Sequence, residues 1–98
     1  MTPRFSVLTV PAFERLTRRL AAQHPEFTRL WSEAIEILQA DPHNVGRWHG
    51  ILKLKGVPGG EGQYRLRLGR FRFRYDIAGR EVRLLYCGLR REDTYRDR

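Results

Sequence analysis

Seventeen arginines, two lysines and four tyrosines supply most of the polar chemistry of this chain, and they are spaced with a pattern. Arg65 and Arg67 alternate with Tyr64, Leu66 and Leu68, while Arg70, Arg72 and Arg74 alternate with Phe71, Phe73 and Tyr75. Near the C-terminus Arg90, Arg91 and Arg96 surround Tyr95. These residue types suit phosphate chemistry without a metal. A guanidinium holds a phosphate by two parallel hydrogen bonds and stabilises charge building in a pentacoordinate transition state. A phenol, titrating ordinarily near ~10, becomes a usable general base when neighbouring cations lower it. RNA brings its own nucleophile, the 2′-hydroxyl, which a protein need only deprotonate and align while assisting the leaving oxygen. Tyr95 is the tyrosine least demanded by the core pattern. From the residues alone, a general base and an aromatic covering a core edge are equally open for it.

Other chemistries find less support. His24, His43 and His49 lack metal-ligand spacing and no acidic or thiolate cluster accompanies them, so no metal or other cofactor is expected. Cys87 ends an apolar stretch and reads as core rather than nucleophile. Gly56, Gly59, Gly60 and Gly62 match no phosphate-loop pattern and precede no helix, which leaves a mobile loop.

Charge is distributed unevenly. Residues 1–46 carry five basic and five acidic side chains, whereas residues 47–98 carry 14 basic and 6 acidic ones, so the whole net charge of +8 lies in the second half. A basic region of this kind suits a polyanion such as nucleic acid or the ribosome. A codon bias in the host genome would explain arginine in place of lysine, but not where the charge sits. The 98 residues are expected to form one domain, 1–98. No apolar run approaches the ~20 residues of a membrane span, the N-terminus lacks the order of a signal peptide, and a lone cysteine fits a reducing compartment. A cytoplasmic protein without membrane contact is the expectation.

The elements that must position these residues follow from periodicity. Phe5 to Val10 alternate as a short strand bounded by Pro11. Phe13, Leu16, Leu20 and Ala21 then share one helical face, and His24-Pro25 ends that helix. Phe27, Leu30, Trp31, Ala34, Ile35 and Leu38 form the stripe of a second helix, which Asp41-Pro42 ends. Beyond a polar connection, Leu52 and Leu54 alternate with Lys53 and Lys55 ahead of the glycine-rich loop. Three hairpin-linked strands follow, with Tyr64, Leu66 and Leu68, then Phe71, Phe73, Tyr75 and Ile77, then Val82, Leu84 and Tyr86 as their apolar sets, and Gly88 closes the last. The expected fold is α+β, in the order β-α-α-β-β-β: an antiparallel meander sheet with an N-terminal helical hairpin packed on one face. Alternation puts the strand-borne arginines on the face opposite the core. For any single one of them a solvated position suffices. Together, across strands ~4.8 Å apart, they repel one another unless an anion shares them.

The segments Leu52-Lys53-Leu54-Lys55-Gly56, Tyr64-Arg65-Leu66-Arg67-Leu68-Gly69, Phe71-Arg72-Phe73-Arg74-Tyr75 and Gly88-Leu89-Arg90-Arg91-Glu92-Asp93-Thr94-Tyr95, in this order, resemble the RelE/ParE superfamily of bacterial toxins. The resemblance covers nearly the whole chain and favours the RelE-like branch. It implies the toxin of a type II toxin–antitoxin system, a metal-independent endoribonuclease that enters the ribosomal A site, cuts mRNA to leave a 2′,3′-cyclic phosphate and so inhibits translation. A cognate antitoxin would bind it in a hetero-oligomeric complex. By the same resemblance Arg72 would stabilise the scissile phosphate, Arg90 would assist the leaving group and Tyr95 would be the base. Arg65 and Arg67 would be the family's basic pair, with Lys53, Lys55, Arg74 and Arg91 as further RNA contacts. Better-known relatives have lysines at the positions of Arg65 and Arg67, and an arginine cannot accept a proton. Relatives that use histidine with glutamate find Arg91 where the histidine would stand. Two other readings stay open: a ParE-like toxin that binds DNA gyrase without nuclease activity, and a plain RNA-binding module.

Overall fold

A computed structural model describes residues 4–89. Seven elements follow one another: β1 (Ser6–Thr9), α1 (Pro11–Gln23), α2 (Phe27–Ala40), β2 (Gly50–Lys53), β3 (Tyr64–Leu68), β4 (Phe71–Ala78) and β5 (Glu81–Leu89). Pro11 opens α1, where its fixed φ and missing N–H cost nothing. Glu14 lies in the first turn and accepts a hydrogen bond from Thr9 Oγ1 at 2.7 Å. At the other end the His24 N–H caps Leu20 O, and α2 runs until Asp41.

The sheet order is β1-β5-β4-β3-β2. The chain from β2 to β5 is an antiparallel meander, and β1 joins its far edge parallel to β5. A parallel partner requires a crossover, and the α1–α2 hairpin is part of it. The α+β class, the meander and the packed hairpin agree with the periodicity. Four strands rather than three follow the hairpin, because Gly50–Lys53 pairs with β3 as an edge strand of its own.

Alternate residues of β3 and β4 meet the helices. Leu66, Phe71, Phe73 and Tyr75 are fully buried against Phe13, Phe27, Ala34 and Leu38, with Val82, Leu84 and Cys87 from β5 completing the core. Rings interlock there: Phe27 meets Phe71 edge-on at 5.1 Å, and Trp31 stacks on Phe73 at 6.0 Å. The buried Tyr75 phenol donates to Pro42 O at 2.8 Å, and burial pushes its ionisation well above the usual range.

Two strands depart from simple alternation. In β5 the register shifts by one residue at Leu85, so Leu84 lies opposite Tyr75 but Tyr86 lies opposite Arg74. Val82 and Leu84 face the core as expected. Tyr86 does not, and Cys87 takes the core position opposite Phe73 instead. In β2 it is Ile51 that pairs with Leu66 on the core side, leaving Leu52 opposite Arg65 and Lys53 opposite Tyr64. Alternation within a four-residue strand cannot say which set points inward; pairing to β3 decides it. Among the described residues no helix is long and apolar enough to cross a membrane.

Candidate functional site

The face of the sheet turned away from the helices is built from the other half of β3 and β4. Arg65 lies directly opposite Arg74, and Arg67 directly opposite Arg72. Opposed residues in an antiparallel ladder share a face with Cβ atoms about 4.5–5.5 Å apart, where like charges destabilise. Four guanidinium side chains therefore start from one small area. They differ in surroundings: Arg67 is exposed, Arg65 and Arg74 are half-buried, and Arg72 is only 7% exposed.

Arg74 and its neighbour Asp76 do structural work at one end of this face. Arg74 Nε donates to Gly62 O at 2.9 Å and its Nη2 to Glu61 O at 3.2 Å. The Asp76 carboxylate accepts three backbone N–H groups, from Gly60 at 2.8 Å, Gly62 at 3.2 Å and Gln63 at 2.8 Å. The glycine-rich segment expected to be a mobile loop is thus pinned against β4 by five hydrogen bonds. Gly62 is required by this arrangement: its φ is +85° and a Cβ would come within 3.1 Å of the Arg74 Cβ. Sequence order hid the link, since Asp76 stands 14 residues from Gly62.

The other candidates are scattered. Lys53 sits on the helix side of the sheet, with Nζ 5.6 Å from the centroid of the Tyr64 ring, and so on the opposite side from the arginines. Lys55 is exposed beyond the end of β2. Arg70 occupies the β3–β4 turn rather than the face; it pairs with Glu26 at 2.8 Å and contacts His24 Nδ1 at 3.0 Å. That hydrogen bond from Arg70 holds the Glu26 carboxyl below the usual carboxylate range. Arg90, Arg91 and Tyr95 lie outside the described residues.

Two residues join the face that alternation had assigned elsewhere or only to the strand's end. Tyr86, turned over by the Leu85 bulge, lies opposite Arg74, and Gly88 lies opposite Arg72. The paired Leu84-Leu85 in an otherwise alternating strand is the one sign of this in the sequence. On the core side, burial pushes the Cys87 thiol up to about 12, which removes it from nucleophilic chemistry near neutrality. Among the described residues no group of three or more His, Cys, Asp or Glu side chains is arranged to hold a metal ion.

This geometry can bind phosphates and stabilise negative charge at one place on the sheet. No protein-family model matches the chain, and no curated protein matches it. Among solved structures, a chain of the archaeal RelE–RelB complex from Pyrococcus horikoshii OT3 superposes with a TM-score of 0.64 at 21% identity, over 89% of this chain and 96% of that one. The backbone, from the helical hairpin to the meander that carries the arginines, has the RelE-like fold.

Proposed function

We propose that the protein is the toxin of a type II toxin–antitoxin system and acts as a metal-independent endoribonuclease on mRNA in the ribosomal A site, in the cytoplasm. The observation that carries this reading is the register of four arginines, Arg65 with Arg74 and Arg67 with Arg72, on the side of a RelE-like sheet opposite the helices. Residues 1–98 would act as one RelE-like unit. An antitoxin partner is supported by the similar chain having been solved as a RelE–RelB complex.

In this mechanism Arg67 and Arg65 draw in the RNA backbone, and Arg72 binds the scissile phosphate. Tyr95 takes the proton of the 2′-hydroxyl, whose oxygen attacks phosphorus. The bond to the 5′-oxygen breaks, leaving a 2′,3′-cyclic phosphate, and Arg90 stabilises the charge on the departing oxygen. Arg91 and Lys55 supply outer contacts with the backbone. Arg74 is committed to the Gly62 and Glu61 carbonyls, so its part is to shape the rim of the site. Lys53, on the helix side, has the weakest case for an RNA contact.

The test is to induce the protein alone in cells and map mRNA 5′ ends, with Tyr95→Phe as control. New ends inside translated codons, absent in the control, are the expected result. Growth arrest with intact mRNA and DNA damage would replace this reading with the ParE-like, gyrase-binding one.

A further inference from the structure

The Leu85 bulge turns a phenol onto the arginine side of the sheet. Tyr86 lies opposite Arg74, and Gly88, two residues on, lies opposite Arg72. The Tyr86 ring runs along the strand and covers Gly88: a Cβ at residue 88 would collide with the phenol oxygen and stand 2.9 Å from Cζ. The hydroxyl is therefore carried away from Arg74 to the strand position that faces Arg72. Ladder partners lie about 4.5–5.5 Å apart, so the hydroxyl stands beside the base of the Arg72 side chain. Gly88 is buried and Tyr86 half-buried, so backbone packing fixes the ring before any ligand arrives. On this face of β3, β4 and β5, Tyr86 is the only described residue carrying a hydroxyl.

We propose that Tyr86 is a substrate contact of the arginine face, its hydroxyl donating a hydrogen bond to the phosphate that Arg72 binds. The inference rests on the RNA-cleaving reading of that face. Arginines supply charge and pull a phosphate in from several directions. The phenol adds a neutral donor with one direction, which fixes how the phosphate is rotated about Arg72. Tyr86 keeps its proton throughout, and Tyr95 remains the base. Gly88 belongs to the same device, because any side chain there displaces the hydroxyl.

Tyr86→Phe removes one oxygen and keeps the ring over Gly88, so folding is expected to be preserved, read as a cooperative thermal transition. Cleavage of ribosome-bound mRNA should fall about 10- to 100-fold in kcat/KM, the range of one hydrogen bond to a charged group. Its pH–rate profile should keep the wild-type shape. Gly88→Ala should show the same loss in cleavage. Affinity is read in parallel by fluorescence anisotropy with a short, fully 2′-O-methylated single-stranded RNA, which cannot be cut. Wild-type binding without cleavage, together with weaker binding by Tyr86→Phe, would overturn the nuclease reading and uphold the phosphate contact. Full cleavage and full affinity in Tyr86→Phe would overturn the contact. A shifted pH–rate profile would overturn the donor role by making Tyr86 a proton carrier. Failure of the wild type to bind RNA at all would overturn both readings.

Discussion

β3 and β4 present two faces made from neighbouring residues of the same strands, and the two obey different rules. On the helix side Leu66, Phe71, Phe73 and Tyr75 have no exposure at all, and Phe71 and Phe73 lock rings with Phe27 and Trp31. On the other side, one residue away along each strand, four arginines stand opposite one another in two pairs. The first arrangement is what burial of apolar surface favours. The second opposes folding, since like charges across a ladder repel. A protein tolerates that where an anionic partner relieves it. Under the function proposed above, the helix side carries stability and Arg67 and Arg72 on the other side carry binding, while Arg74 and Asp76 there hold the loop.

Substitutions on each face should break this contrast in different observables. The largest effect is expected from Phe73→Ala, which empties a fully buried ring site and should cost about 3–5 kcal/mol in denaturant unfolding. An equal loss from Arg67→Ala would dissolve the distinction between the faces. Arg72→Ala should lower kcat/KM for RNA cleavage by about 10²–10³, mostly in turnover, as for removal of a group aimed at transition-state charge. A fall confined to affinity would make it one phosphate anchor among several. Asp76→Asn should release part of the pinned loop at a cost of about 1–3 kcal/mol, with faster amide exchange at Gly60, Gly62 and Gln63 as its signature. Arg67→Ala should leave stability unchanged or slightly raised, since it removes one of two opposed charges, while lowering the salt slope of RNA binding by about 0.7, the share of one phosphate contact on a single strand. The smallest effect is expected from Arg70→Ala. The Arg70–Glu26 pair is open to water, and the thermal midpoint should not move resolvably.

Long periodic segments were readable without coordinates. The helical stripes of Phe13 to Leu20 and Phe27 to Leu38, and the alternation from Tyr64 to Ile77, each repeat often enough that one period explains them. β2 was harder to read because its four residues offer two possible inward faces, and only the Ile51–Leu66 pairing chooses between them. The pinned loop was hidden because Asp76 reaches it across the sheet rather than along the chain. Alternation puts Tyr86 on the core side, and the bulge reverses this because it adds one residue to the strand and inverts every later position.

By itself the amino-acid order determined the number of helices, the meander and the side of the sheet on which Arg65, Arg67, Arg72 and Arg74 stand. These follow from periods of 3.6 and 2 and from the preference of apolar side chains for burial. Tertiary structure decided what surrounds that face. Pairing register sent Lys53 to the helix side, backbone hydrogen bonds drew Arg74 and Asp76 into holding a loop, and the Leu85 bulge brought Tyr86 over Gly88 beside Arg72. Each of these depends on which strands meet and with what offset, a property of contacts between distant residues that no local pattern encodes.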